Sequence, residues 1–247
     1  MTEIFTNEYL QSGVAALVFA AVFLVGHRLN PSQKLLPSRR SMISFAAGSS
    51  SAYVFVYMMP ELAEVRESFV ESMEMTLRFE GMAIYFIALI GFMVFYGLEN
   101  FRARFEDTAS PGETGLDFKI HIGGFAAYVW LVSYIATLMA EETVSSILLY
   151  IIAMTFHFLA TDHALHEEHG DNYQHKGRYG LAAMAVLGWV AGLAIPVSEA
   201  VLAIFTAFIS GAVIMNSSLS ELPTEKDGRL QPFIAGGILY GLVLIPL

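Results

Sequence analysis

The stretch MAIYFIALIGFMVFYGL, residues 82–98, runs for 17 residues without a charged side chain. A helix needs about 20 mostly apolar residues to cross the hydrocarbon core of a bilayer, and this block is nearly that long. Its apolar residues do not alternate with polar ones, which argues against a transmembrane β-strand, where lipid and lumen faces alternate. Blocks of the same kind recur at about 12–29, 42–62, 118–139, 144–166, 179–196, 199–222 and 233–247. Eight apolar blocks predict an all-α, polytopic integral membrane protein with eight transmembrane helices in a single transmembrane domain over 1–247.

Composition points the same way. Of the 247 residues, 55% are hydrophobic and 15% charged, against about 25% charged in an ordinary soluble domain. The net charge of −10 argues against nucleic acid as a partner. There is no cysteine, so disulfides and thiolate metal sites are excluded. The first block has no basic residue before it and no small-residue cleavage site, and so does not read as a signal peptide.

Lysine and arginine are unevenly spread. Counted against eight crossings, eleven fall in alternate connections, including Arg28, Lys34, Arg39, Arg40, Arg102, Arg104, Lys119, Lys176, Arg178, Lys226 and Arg229. Two, Arg66 and Arg78, fall on the opposite side. By the positive-inside rule both termini are expected outside the cytoplasm, in a membrane such as a bacterial inner (plasma) membrane.

Two blocks also resemble each other. One carries Phe45-Ala-Ala-Gly48 and, twelve residues after the glycine, Pro60 followed by Glu61. The other carries Phe208-Ile-Ser-Gly211 and, twelve residues on, Pro223 preceded by Glu221-Leu222. The charge count gives them opposite directions. The expectation is an inverted repeat, spans 1–3 against spans 6–8 with two spans between, an arrangement common in transporters. Gly188-x-x-x-Gly192 and Gly237-x-x-x-Gly241 fit close helix packing.

Three stretches carry a family resemblance: SFAAGSSSAYVFVYMMPEL (44–62), GFMVFYGLE (91–99) and AFISGAVIMNSSLSELP (207–223). They resemble the second, third and seventh spans of the ZIP family of divalent metal transporters. The resemblance implies a ZIP-like 3+2+3 fold and a metal path on spans 4 and 5. The family's span-4 motif, His-Asn-x-x-Asp/Glu-Gly, is represented by His121-Ile-Gly-Gly-Phe-Ala, which keeps the histidine. Its span-5 motif, His-Glu/Lys-x-x-His/Pro-Glu, is represented by His157-Phe-Leu-Ala-Thr161-Asp162, which keeps the histidine and an acid five residues on. Where the family often has a histidine three residues before the span-2 proline, this chain has Tyr57.

The polar residues support a cation site independently of the family. In HFLATDHALHEEHGDNYQH (157–175), Asp162, His166 and His169 share one helical face at 100° per residue. One carboxylate and two imidazoles suit Zn²⁺, with Fe²⁺ or Mn²⁺ as further options. An ionisable group at membrane depth costs about 2.5–3.5 kcal/mol unless compensated, so His157 and Asp162 call for partners. His121 is expected near that end of the span, with Glu99 joining it. The expected metal ligands are therefore His157, Asp162, His121, His166 and His169, with Glu99, Tyr57, Glu61 and Glu221 along the path. Glu64, Glu67, Glu71 and Glu74 form an acidic stripe on an expected amphipathic helix.

Two functions follow from these residues. One is a ZIP-like transporter or channel for Zn²⁺ or another divalent cation. The other is a degenerate, non-transporting relative that serves as a structural subunit of a larger membrane complex. The expected partners are the lipid bilayer, a divalent cation and either a second copy or such a complex. An intramembrane metalloenzyme would need a denser set of ligands and a general base on facing helices, and no enzyme is expected.

Overall fold

The computed structural model describes residues 2–26, 39–73, 80–108, 116–138, 144–217 and 229–245. Among these the regular structure is all helical. The α-helices are α1 (Thr2–Val25), α2 (Arg39–Ala52), α3 (Met59–Ser72), α4 (Ala83–Thr108), α5 (Leu116–Leu138), α6 (Val144–Asn172), α7 (Arg178–Ala194), α8 (Glu199–Met215) and α9 (Leu230–Leu244). A π-helical segment, Tyr53–Met58, joins α2 to α3, and a second, Tyr173–Gly177, joins α6 to α7.

Four segments are long and apolar enough to cross a membrane: 41–72, 83–101, 118–138 and 147–194. Their outward faces are oily. On α4, Phe86, Leu89, Ile90 and Met93 are exposed, while Ile84, Ala88 and Phe95 face the protein. Such a large apolar surface suits lipid. This is a membrane-associated, all-α protein.

The expected eight crossings in a 3+2+3 inverted repeat are not what the structure holds. The blocks at 144–166 and 179–196 fall within one helical run, 147–194, which is bent at the non-helical Gly170. Of the other blocks, two form short apolar helices, Glu199–Met215 and Leu230–Leu244, and one is the apolar part, Leu10–Val25, of α1. At 1.5 Å per residue, the 15 residues of α9 rise about 22 Å, short of a hydrocarbon core of about 30 Å. The halves are also unequal. The segment 41–72 runs 32 residues against 17 for α8, and 83–101 runs 19 against 15 for α9. Hydropathy registers how willingly side chains leave water, not how far a helix continues, and it overcounts where helices are short or joined. The lysine and arginine asymmetry assigns sides only on a count of eight, so it does not orient this fold.

Helices distant in sequence pack together. The most extensive contacts are α2 with α9, α4 with α8 and α5 with α7. Small residues make this possible. A Cβ on Gly48 would overlap the backbone carbonyl of Phe233, and one on Gly211 would overlap that of Ala88. The two Phe-x-x-Gly motifs thus seat two separate helix pairs at backbone contact. Gly188 likewise lies against the carbonyl of Trp130, whereas Gly237 and Gly241 have only ordinary neighbours. The core between these pairs is aromatic, with Phe158 edge-on to Phe19 at 5.2 Å and Tyr128 behind them.

The acidic stripe lies on α3. Glu64, Glu67 and Glu71 are exposed and Leu62 and Phe69 buried. Glu74 lies outside the described residues.

Candidate metal centre

Three helices converge on His121. Its neighbours on α5, Phe125 and Tyr128, follow at i+4 and i+7 and so share its face. That face is buried, and His121 itself is 1% exposed. α4 brings Glu99, and the end of α6 brings Glu168 and His169. His121 Nδ1 is 2.7 Å from His169 Nε2 and 3.7 Å from Glu168 Oε2, and His121 Nε2 is 3.3 Å from Glu99 Oε1. One ligand atom each from His121, Glu168 and His169 can be chosen with all three within 4.8 Å of one another. The three can in principle coordinate a divalent metal ion.

The hydrogen bonds suggest how the cluster is set. When His121 Nε2–H donates to Glu99, Nδ1 keeps its lone pair and accepts from His169 Nε2–H. A carboxylate behind a ligating imidazole fixes the ring's tautomer and orientation, and Glu99 stands in that place. The 2.7 Å spacing of the two ring nitrogens is that of a hydrogen bond. Two nitrogens on one tetrahedral zinc sit about 3.3 Å apart. The rings must therefore part by about 0.6 Å, and His169 must shift its proton to Nδ1, before an ion enters.

His169 stands where α6 ends. Gly170 has φ 48° and ψ −124°, a backbone conformation that suits glycine. There the helical run bends. Asp162 and Tyr173 are eleven residues apart, about 16 Å along a straight helix, yet Tyr173 Oη donates to Asp162 Oδ1 at 2.6 Å. Tyr173→Phe is expected to lower stability by about 1–3 kcal/mol, read as a fall in the thermal midpoint of the detergent-purified protein. An unchanged midpoint would show that this hydroxyl does not hold the bend.

His157 lies deeper. It is wholly buried, 12 residues before His169 on α6, or about 18 Å along the helix. Tyr128 Oη is 2.7 Å from its Nε2 and Ser50 Oγ 3.5 Å from its Nδ1. Ser50 Oγ is in turn 2.7 Å from Ser217 Oγ. Hydroxyls can both donate and accept, so this chain satisfies a buried imidazole without an opposing charge.

The structure thus gathers His121 and His169 with Glu99, and places His157, Asp162 and His166 elsewhere. Asp162 is held by Tyr173, and the ring of His166 faces that of Tyr173 at 6.4 Å. Tyr57 stacks on Tyr53 at 5.2 Å, and with Glu61 it lines a separate cleft shared by the Tyr53–Met58 segment, α3, α5, α6 and α8. Glu221 lies outside the described residues. Glu168, Tyr128, Ser50, Ser217 and Asn216 are contributors that sequence reasoning passed over. The signal for the last two was a polar pair closing the apolar α8, because polar groups within membrane helices need partners.

The chain is a membrane-associated helical protein with a largely buried His/Glu/His cluster, and no protein family, curated protein or solved structure matches it.

Proposed function

We propose that this protein carries a divalent cation, foremost Zn²⁺, across a membrane in the manner of the ZIP family its sequence resembles. His121, Glu168 and His169 are the station at which the cation, as cargo, is held. One observation carries the reading: an imidazole that is 1% exposed lies within 4 Å of a second imidazole and of two carboxylates drawn from different helices. Burial of so many ionisable groups beside apolar helices is costly unless they are partnered or functional. Imidazole with carboxylate suits Zn²⁺ and, less well, Fe²⁺ or Mn²⁺.

A second observation favours the other expectation, a non-transporting subunit. His157 and Asp162, both buried, are tied up by Tyr128, Ser50 and Tyr173. In that reading the cluster binds its metal and the interior stays shut.

Uptake of radioactive zinc into proteoliposomes separates the two. A transporter is expected to lose at least about 90% of its uptake in His121→Ala with His169→Ala, given the 10–100-fold effects of even outer-shell changes on metal affinity. Zinc bound at about one equivalent with no uptake by wild-type protein would assign the non-transporting role. Neither binding nor uptake would remove the cation from the account.

A further inference from the structure

A small cavity opens behind the cluster. Glu99, Glu168, Thr161 and Asn216 line it, together with the apolar Phe125 and Leu165. It has room for about one water-sized sphere. Asn216, at the end of α8, is 1% exposed, and neither its Oδ1 nor its Nδ2 has a hydrogen-bond partner among the described residues. A buried amide with both groups unsatisfied is costly and calls for an explanation, such as a bound water or ion. The residue before the amide, Met215, is fully buried, and the residue after it, Ser217, starts the chain of hydroxyls to His157. Asn216 is therefore held between the two polar regions of the protein.

We propose that this cavity is a second cation station, lined by oxygen, in which Asn216 Oδ1 joins the carboxylates of Glu99 and Glu168. A water would satisfy the amide alone. A divalent cation also matches the two carboxylates in a place of low dielectric. Oxygen donors with no imidazole select harder ions than the His121 cluster does, Mn²⁺ or Mg²⁺ over Zn²⁺. Glu168 borders both places, so an ion leaving the imidazoles can be passed to the amide without losing its carboxylate. The proposal deepens the cation reading and rests on it through Glu168, which both places share, and through Glu99, which also holds His121.

The test uses the full chain purified in detergent. Mn²⁺ binding is followed by loss of the electron paramagnetic resonance signal of the free ion, and Zn²⁺ by elemental analysis after dialysis. Asn216→Leu, close in volume and without donors, is expected to weaken Mn²⁺ by at least about tenfold. Asn216→Asp, which adds a carboxylate, is expected to tighten it. His169→Ala is expected to weaken Zn²⁺ far more than Mn²⁺. Mn²⁺ binding that is absent in wild type, or equal in wild type, Asn216→Leu and Asn216→Asp, would overturn the second station, whatever zinc does. A tighter Asn216→Asp supports it even if Asn216→Leu fails to fold. Mn²⁺ that follows Asn216 in a protein binding no zinc would uphold the cavity and defeat the imidazole cluster.

Discussion

Replacing His121 by alanine is expected to weaken zinc binding by at least about 100-fold, or about 2.7 kcal/mol. The effect is large because His121 is the hub. Its Nδ1 faces His169 and Glu168, and its Nε2 faces Glu99. Truncation removes one ligand and takes from Glu99 the imidazole it orients, so the remaining carboxylates face each other with less to hold them. Glu99→Gln keeps all three ligands and weakens only the orienting bond. It should cost about 10–100-fold, as outer-shell changes do. His166→Ala is the comparison, since that ring faces Tyr173 and not the cluster. It should alter affinity by less than about threefold, well below even an outer-shell effect. Competition with a fluorescent chelator measures all three variants. Equal losses in His121→Ala and His166→Ala would mean that the metal sits elsewhere on α6.

Gly48→Ala and Gly211→Ala are each expected to destabilise the protein by about 3 kcal/mol or more, the upper end of overpacking costs. One methyl suffices because it would meet backbone. The carbonyls of Phe233 and Ala88 stand where the new Cβ must go, and a carbonyl within a helix has no rotamer by which to move aside. Either α2 must part from α9 and α4 from α8, or the helix must bend. Gly237→Ala tests the same α2–α9 contact from the other side. There a Cβ would lie 3.5 Å from Gly48 O, an ordinary contact, and the substitution should be tolerated. Thermal midpoints and the fraction of monodisperse protein on size exclusion read the difference. Tolerance at Gly48 and Gly211 would show that these helices have room to separate.

The helical character of this chain was legible from blocks such as 82–98. A backbone in lipid must satisfy its own hydrogen bonds, and a helix does so within one segment. The block at 118–139 likewise becomes a helix with nearly the expected limits, Leu116–Leu138. Two features misled the count of crossings. The polar stretch around Gly170 reads as a loop between two spans, yet it is a sharp turn within one helical path. The blocks at 199–222 and 233–247 are apolar enough for crossings but form helices of 17 and 15 residues.

The site was legible in residue type and only partly in grouping. His121, Glu99 and the 157–175 stretch can be expected near one another because all lie at polar ends of apolar blocks. The helical wheel that puts Asp162, His166 and His169 on one face is correct arithmetic for a single helix. It cannot say which neighbour each side chain meets. Tyr173 reaches Asp162 only because the helical run bends at Gly170, and His169 reaches His121 only because α5 lies beside the end of α6.

Helix, membrane and a supply of imidazole and carboxylate near the end of an apolar segment follow from this chain's residue order, because transfer energy and backbone hydrogen bonding are local properties. Which ligands meet depends on how far each helix runs, where it turns and how it is rotated against its neighbours. Those quantities are settled by contacts between residues far apart in the chain, such as Gly48 with Phe233 or His121 with His169. No local pattern encodes them, and only the packed structure decides them.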